Sequence, residues 1–160
     1  MKRLWAPWRM AWIAASRAPA GCVFCDARDG HDERSAFLLA RNDHAFLILN
    51  AFPYAPGHLM AVVNRHLARI AAAETAELTD LMRLVQRAIE ALTGEYRPEG
   101  FNIGLNQGRA AGAGIEDHLH MHIVPRWNGD HNFISVVGDT RVLPETLETT
   151  WQRLRGRLGG

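Results

Sequence analysis

The stretch Asp117 to Trp127 reads DHLHMHIVPRW. It sets His118, His120 and His122 at every second position, with Leu119, Met121 and Ile123 alternating with them. A period of two is that of an extended strand, whose successive side chains point to opposite faces. The segment is therefore expected to be a strand ended by Pro125. Its three imidazoles would share one face at spacings of about 6.5–7 Å, and its apolar residues would supply the core contact.

The remaining chain divides around that strand. Strands are expected over 35–42, 44–50, 58–64 and 101–106. The second and third of these form an antiparallel pair across the turn AFPYAPG, where two prolines and a glycine break regular structure. The clearest helix is 75–96, with Leu78, Leu81, Met82, Val85, Ile89 and Leu92 on one face and Thr75 as its N-cap. With Leu78 at the reciprocal position, its capping box is incomplete. A C-terminal helix is expected over 143–158, with Leu147, Trp151 and Leu154 on one side. Strands and helices do not alternate, which points to an α+β fold with an antiparallel sheet of about five strands.

The chain has 160 residues, 48% hydrophobic and 22% charged, with a net charge of +1. This is the composition of one globular domain with a real core. The charge balance argues against a nucleic-acid-binding arm, although a few local donors could still hold a small phosphate. No window reaches the roughly eighteen apolar residues of a membrane span. Pro7, Arg9 and Arg17 interrupt the N-terminal apolar stretch, so it reads as mature protein rather than signal peptide, and a cytoplasmic location is expected. The arm carries Trp5, Trp8 and Trp12, which call for burial on the domain or on a second subunit.

Three aligned histidines admit three readings. Solvated polar residues are one, but Thr, Lys or Gln would serve as well on a wet strand. A single metal ion is another, but three ligands along about 13 Å of one strand cannot all surround it. The third is phosphoryl or nucleotidyl chemistry, in which one imidazole attacks phosphorus while its neighbours orient it and bind oxygens. Cys22 and Cys25, the chain's two cysteines, are half a metal site, a redox pair or two buried thiols.

The motif HLHMHIV resembles the signature of the histidine triad family of nucleotide hydrolases and transferases. ILNAFPYAPGHLMAVVNRH is similar to that family's nucleoside-binding strand pair. NIGLNQGRAAGAGIEDHLHMHIVPRWNGDHNF, with LWAPWR and CVFC upstream, resembles the subgroup that contains bacterial diadenosine polyphosphate phosphorylases. The resemblance implies a HIT-like fold over 35–160, preceded by an arm over 1–34 that carries the tryptophans and the cysteine pair. It also implies a homodimer with the sheet extended across the interface.

By the same resemblance His120 is the nucleophile, attacking the α-phosphorus to give a nucleotidyl-histidine. His122 binds phosphate oxygens and assists the leaving group, and His58 braces the triad. Asn50 binds ribose, with Phe46 and Ile48 as candidates for the base pocket. Asn106 contacts the phosphate bridge, and Gly112 and Gly114 let backbone amides approach it. Many relatives carry Gln and then Ser or Thr where this chain has Gly114 and Ile115, so backbone amides or Arg109 must replace that hydroxyl. Trp127 stacks on a second base or packs against the arm. Cys22, Cys25, His66 and His118 form a zinc site, with His31 and His44 as alternative ligands. The implied activity is cleavage of diadenosine polyphosphates with phosphate or water as acceptor. Adenosine phosphoramidate hydrolysis, or nucleotide binding without turnover, is the alternative.

Overall fold

The computed structural model describes residues 21–130 and 143–158; Trp5, Trp8 and Trp12 lie outside the described residues. Five strands form one sheet: β1 (Leu38–Arg41), β2 (Ala45–Leu49), β3 (Leu59–Val63), β4 (Gly100–Gly104) and β5 (His120–Arg126). Their order is β1-β2-β3-β5-β4, and every neighbouring pair is antiparallel. The helices are α1 (Val23–Asp29), α2 (Thr75–Tyr96) and α3 (Leu147–Leu158). The α+β class, the strand number, the main helix and the C-terminal helix all match the expectation. Among the described residues no helix is long and apolar enough to cross a membrane.

The sheet has two unlike faces. Leu47, Leu49, Leu59, Ala61, Val63, Leu119 and Ile123 pack on one side against α2 and α3. Phe46, Ile48, Met60 and Val62 lie on the other, where Phe24 of α1 joins them. Both faces of β2 and β3 are thus covered, which accounts for their nearly unbroken apolar runs.

Local details depart from the sequence expectation in four places. α1 takes in Cys25, with Cys22 as its N-cap, where no helix was expected. The buried stripe of α2 runs through Leu81, Leu84, Val85, Ala88 and Leu92, while Met82 is 46% exposed. α3 starts at Leu147 rather than 143. The strand at the histidines starts at His120, so His118 precedes it, and it runs through Pro125 to Arg126. Proline is tolerated there because the β3 ladder ends at Leu59 opposite Ile123, and β5 continues with β4 alone.

Glu77 explains a further correction, at the start of α2. The N-cap is Glu74, not Thr75. The Glu77 carboxylate accepts the Glu74 N–H at 2.8 Å and two Arg65 guanidinium N–H groups at 2.9 and 2.7 Å. Three charge-assisted bonds on a side chain only 6% exposed outweigh the cost of burying it. They hold its carboxyl at about 2, with Arg65 the leading cause, against a usual 4.5. A depressed carboxyl contributes stability that is complete above its unfolded value and lost as pH falls through its folded one. Glu77→Gln is therefore expected to destabilise the fold at neutral pH by about 1–3 kcal/mol. The gap should narrow as pH drops from 4.5 towards 2. Denaturant titrations of both proteins across that range measure it, and a gap independent of pH would exclude the ionised carboxylate as its source.

Candidate active site

Two rows of side chains cross the sheet on the face turned away from α2 and α3. His120 stands opposite Val62, and Val62 opposite Phe46; His122 stands opposite Met60, and Met60 opposite Ile48. Residues paired across a ladder share a face. The histidines therefore share a face with Phe46 and Ile48, the apolar pair that the sequence proposed for a base, with Val62 and Met60 of β3 between them. Phe46 is fully buried and Ile48 is 7% exposed.

His120 is 4% exposed. Its Nδ1 lies 2.8 Å from the His118 carbonyl oxygen. A carbonyl only accepts, so Nδ1 carries the ring proton and Nε2 of the neutral ring keeps its lone pair. Burial holds the imidazole below the usual histidine range, which keeps it neutral. The Phe24 ring lies 5.0 Å from it, centroid to centroid.

His122 is set by a relay that starts at the main chain. The Tyr54 N–H donates to His58 Nδ1 at 3.1 Å. In a neutral His58 the proton is then on Nε2, which lies 3.0 Å from His122 Nδ1 and donates to it. His122 consequently carries its own proton on Nε2. Burial, then the nearby His120, pushes His122 down to about 4. The pair thus combines an imidazole nitrogen with a free lone pair and an imidazole N–H donor, with ring centroids 5.0 Å apart. His58 is 1% exposed.

His118 does different work from the other two. Its Nε2–H donates to the Val63 carbonyl at 2.8 Å, which leaves Nδ1 as the acceptor nitrogen. That Nδ1 lies 3.2 Å from Cys22 Sγ and 3.7 Å from Cys25 Sγ, and His66 Nδ1 lies 3.5 Å from Cys25 Sγ. One donor atom from each of Cys22, Cys25, His66 and His118 falls within 4.8 Å of the other three. Such spacings suit adjacent corners of a tetrahedron whose metal bonds are about 2.0–2.3 Å long. The backbone bond on the far nitrogen of His118 is the kind of support that orients a ligating imidazole. Burial and the adjoining Cys22 push the Cys25 thiol up, and a bound cation would reverse both effects. This cluster can hold a metal ion. His44 lies outside it, with Nδ1 bonded at 2.7 Å to Asp80 Oδ2, and His31 is not among the four.

The other expected residues are distributed unevenly. The Asn50 side-chain oxygen accepts the Phe52 N–H at 2.9 Å, and its amide nitrogen lies 3.4 Å from the ring nitrogens of His58. Asn106 is exposed just beyond β4, two residues after Gly104, the register partner of His122. In the loop that follows, Gly108 and Gly112 adopt φ of 80° and 81°, which side chains disfavour, and Gly114 is exposed. Arg109 pairs with Glu116 at 3.0 Å. Trp127 turns its indole N–H to the Tyr96 carbonyl at 3.3 Å, at the end of α2 and thus on the helix side of the sheet, opposite His120 and His122. Phe24 and Tyr54 were not anticipated. Their only sequence signals were an aromatic between the two cysteines and a tyrosine four residues before His58.

The chain is similar to known proteins over most of its length. The family model described as HIT domain matches residues 31–129. An AP-4-A phosphorylase of Mycobacterium tuberculosis is 38% identical over 159 residues, covering 94% of this chain and 80% of its own. An adenosine 5′-monophosphoramidase of Schizosaccharomyces pombe is 23% identical over 137 residues, covering 86% of this chain and 98% of its own. The crystal structure of a Zn-bound histidine triad family protein from Mycobacterium smegmatis superposes with a TM-score of 0.69 at 26% identity, covering 87% of this chain and 94% of that one. Motif, sheet topology and whole-chain similarity agree, and the chain belongs to the HIT domain family.

Proposed function

We propose that the chain is a nucleotidyl hydrolase or transferase that cleaves diadenosine polyphosphates at the α-phosphorus. The observation that carries this reading is the 2.8 Å bond from His120 Nδ1–H to the His118 carbonyl, which leaves Nε2 as the nucleophile. As Nε2 attacks, the N–P bond forms and the bridging P–O bond breaks. The positive charge gained by the ring is stabilised through the same carbonyl. The leaving polyphosphate departs as an anion and needs no proton; the His122 Nε2–H hydrogen-bonds the charge that develops on it. In the second step an oxygen of phosphate or water attacks phosphorus and the N–P bond breaks, giving ADP or AMP. Asn50 and Ile48 are assigned to the nucleoside. Asn106 and the amides around Gly112 and Gly114 are assigned to the phosphates. The M. tuberculosis relative supports the substrate class.

The cluster of Cys22, Cys25, His66 and His118 is read as a structural zinc site. When bound, zinc supplies a four-way cross-link and takes no part in bond breaking. The Zn-bound M. smegmatis neighbour supports that identity. Among the described residues the sheet order leaves the outer edge of β4 unpaired, with Ile103 43% exposed. We assign this edge to a homodimer with a continuous sheet.

Four experiments test these assignments. Diadenosine tetraphosphate is incubated with and without inorganic phosphate, alongside an adenosine phosphoramidate. ADP formed only with phosphate is expected, and binding of AMP without any turnover would reduce the chain to a binding module. His120→Ala should cost more than about a thousandfold in kcat with the fold intact. Metal analysis of untagged protein should find near-stoichiometric zinc that Cys22→Ser removes; absence of zinc from the parent would withdraw that site. Light scattering at micromolar concentration should give a dimer, and a monomer would refute the β4 interface.

A further inference from the structure

The loop assigned to the phosphates joins β4 to β5, and its own backbone does little to hold its shape. Gly108 and Gly112 within it take φ of 80° and 81°. A glycine loses more freedom than any other residue when it is fixed. Amides at such positions meet a phosphate in the right geometry when the loop is fixed beforehand. The loop's internal ion pair, Arg109 with Glu116, contributes little, because the Arg109 side chain is 90% exposed. Its far end is seated firmly. Ile115 packs on the apolar cluster that contains Phe24 and Val62, and the Leu119 N–H donates to the Leu67 carbonyl at 2.6 Å.

The near end is seated by Gln107, which lies between Asn106 and Gly108. Its side-chain oxygen accepts the Ile70 N–H at 3.0 Å. Ile70 opens a single 3-10 turn, Ile70–Ala72, and the first N–H groups of a helical turn have no partner inside it. Gln107 thus takes up a donor that the turn leaves over. That turn is a fixed point. Ala72 gives its carbonyl to Arg65 at 2.8 Å, and Arg65 is bonded twice to the buried Glu77. We propose that Gln107 is a positioning residue: through Ile70 it holds Asn106 and the glycine amides of the loop where the polyphosphate meets them. The inference rests on the polyphosphate reading given above, with this loop on the phosphates. A loop that is in place for only a fraction of the time weakens binding by that fraction, and the chemistry of the bound complex is unchanged. The effect therefore falls on KM rather than on kcat.

The test removes the bond from each side. Gln107→Met keeps the length of the side chain and deletes the acceptor. Ile70→Pro deletes the donor at the first position of a turn, where proline is tolerated. Arg69 before it has φ of −121° and ψ of 132°, the extended backbone that a residue preceding proline requires. KM and kcat for diadenosine tetraphosphate with inorganic phosphate are measured for the parent, both variants and the double variant. The inhibition constant of adenosine, which carries no phosphate, is measured alongside. Each single variant is expected to raise KM about three- to tenfold, the range of one hydrogen bond, with kcat and the adenosine constant held within about twofold. The double variant should raise KM no further, because both changes delete the same bond. An unaltered KM, or single effects that multiply in the double variant, overturns the positioning role while leaving the polyphosphate reading standing. An equal loss of adenosine binding overturns it too, by making the bond a general support of the fold. No turnover of the tetraphosphate by the parent overturns both readings.

Discussion

The hydrogen bond from the His120 imidazole to the His118 carbonyl decides what this face of the protein can do. An isolated imidazole exchanges between two tautomers, and only one of them offers a lone pair at Nε2. Placing a carbonyl 2.8 Å from Nδ1 removes the other. The carbonyl belongs to a residue that is itself held: the His118 ring bonds the Val63 carbonyl on one side and stands against Cys22 and Cys25 on the other. Phe24, carried between those cysteines, packs at 5.4 Å from His118 and 5.0 Å from His120. The metal-competent cluster and the His120 ring thus share a wall. α1 is short, with a single fully buried side chain, so its position depends on what the cluster and Phe24 bind.

The second imidazole is governed from the opposite end. A main-chain N–H at Tyr54 determines the His58 tautomer, and His58 determines that of His122. The two neighbours therefore present different atoms to the same space although their side chains are identical. Both effects need exclusion of water, which would otherwise compete for every ring nitrogen. Burial supplies this and also keeps the rings neutral.

Much of the fold could be read from periodicity. The alternation at 118–124 and the apolar runs at 44–50 and 58–64 are strand patterns that few other structures accommodate, and the α2 stripe is visible at three- and four-residue steps. Errors clustered where contact rather than pattern decides. Glu77 displaces the N-cap to Glu74 because Arg65 brings a partner from another element. The CVFC segment has too few residues to show a helical period, and it becomes a helix by packing Phe24 on the sheet. Trp127, expected either to stack on a base or to pack against the arm, lies just past β5 and turns its indole N–H to the Tyr96 carbonyl, a partner that only the fold brings near.

By itself the sequence determined that three imidazoles would be aligned, that an upstream histidine and two cysteines were available, and that the sheet would be antiparallel. These follow from residue spacing and local propensity, which are properties of neighbours along the chain. Only the tertiary structure divided the imidazoles among three tasks. His118 leaves the strand to meet Cys22, Cys25 and His66, His120 is tied to a carbonyl, and His122 is bonded to His58. The physical reason is that an imidazole's role depends on which of its nitrogens holds the proton. That choice is made by acceptors and donors up to 96 residues away, and spacing along one strand carries no record of them.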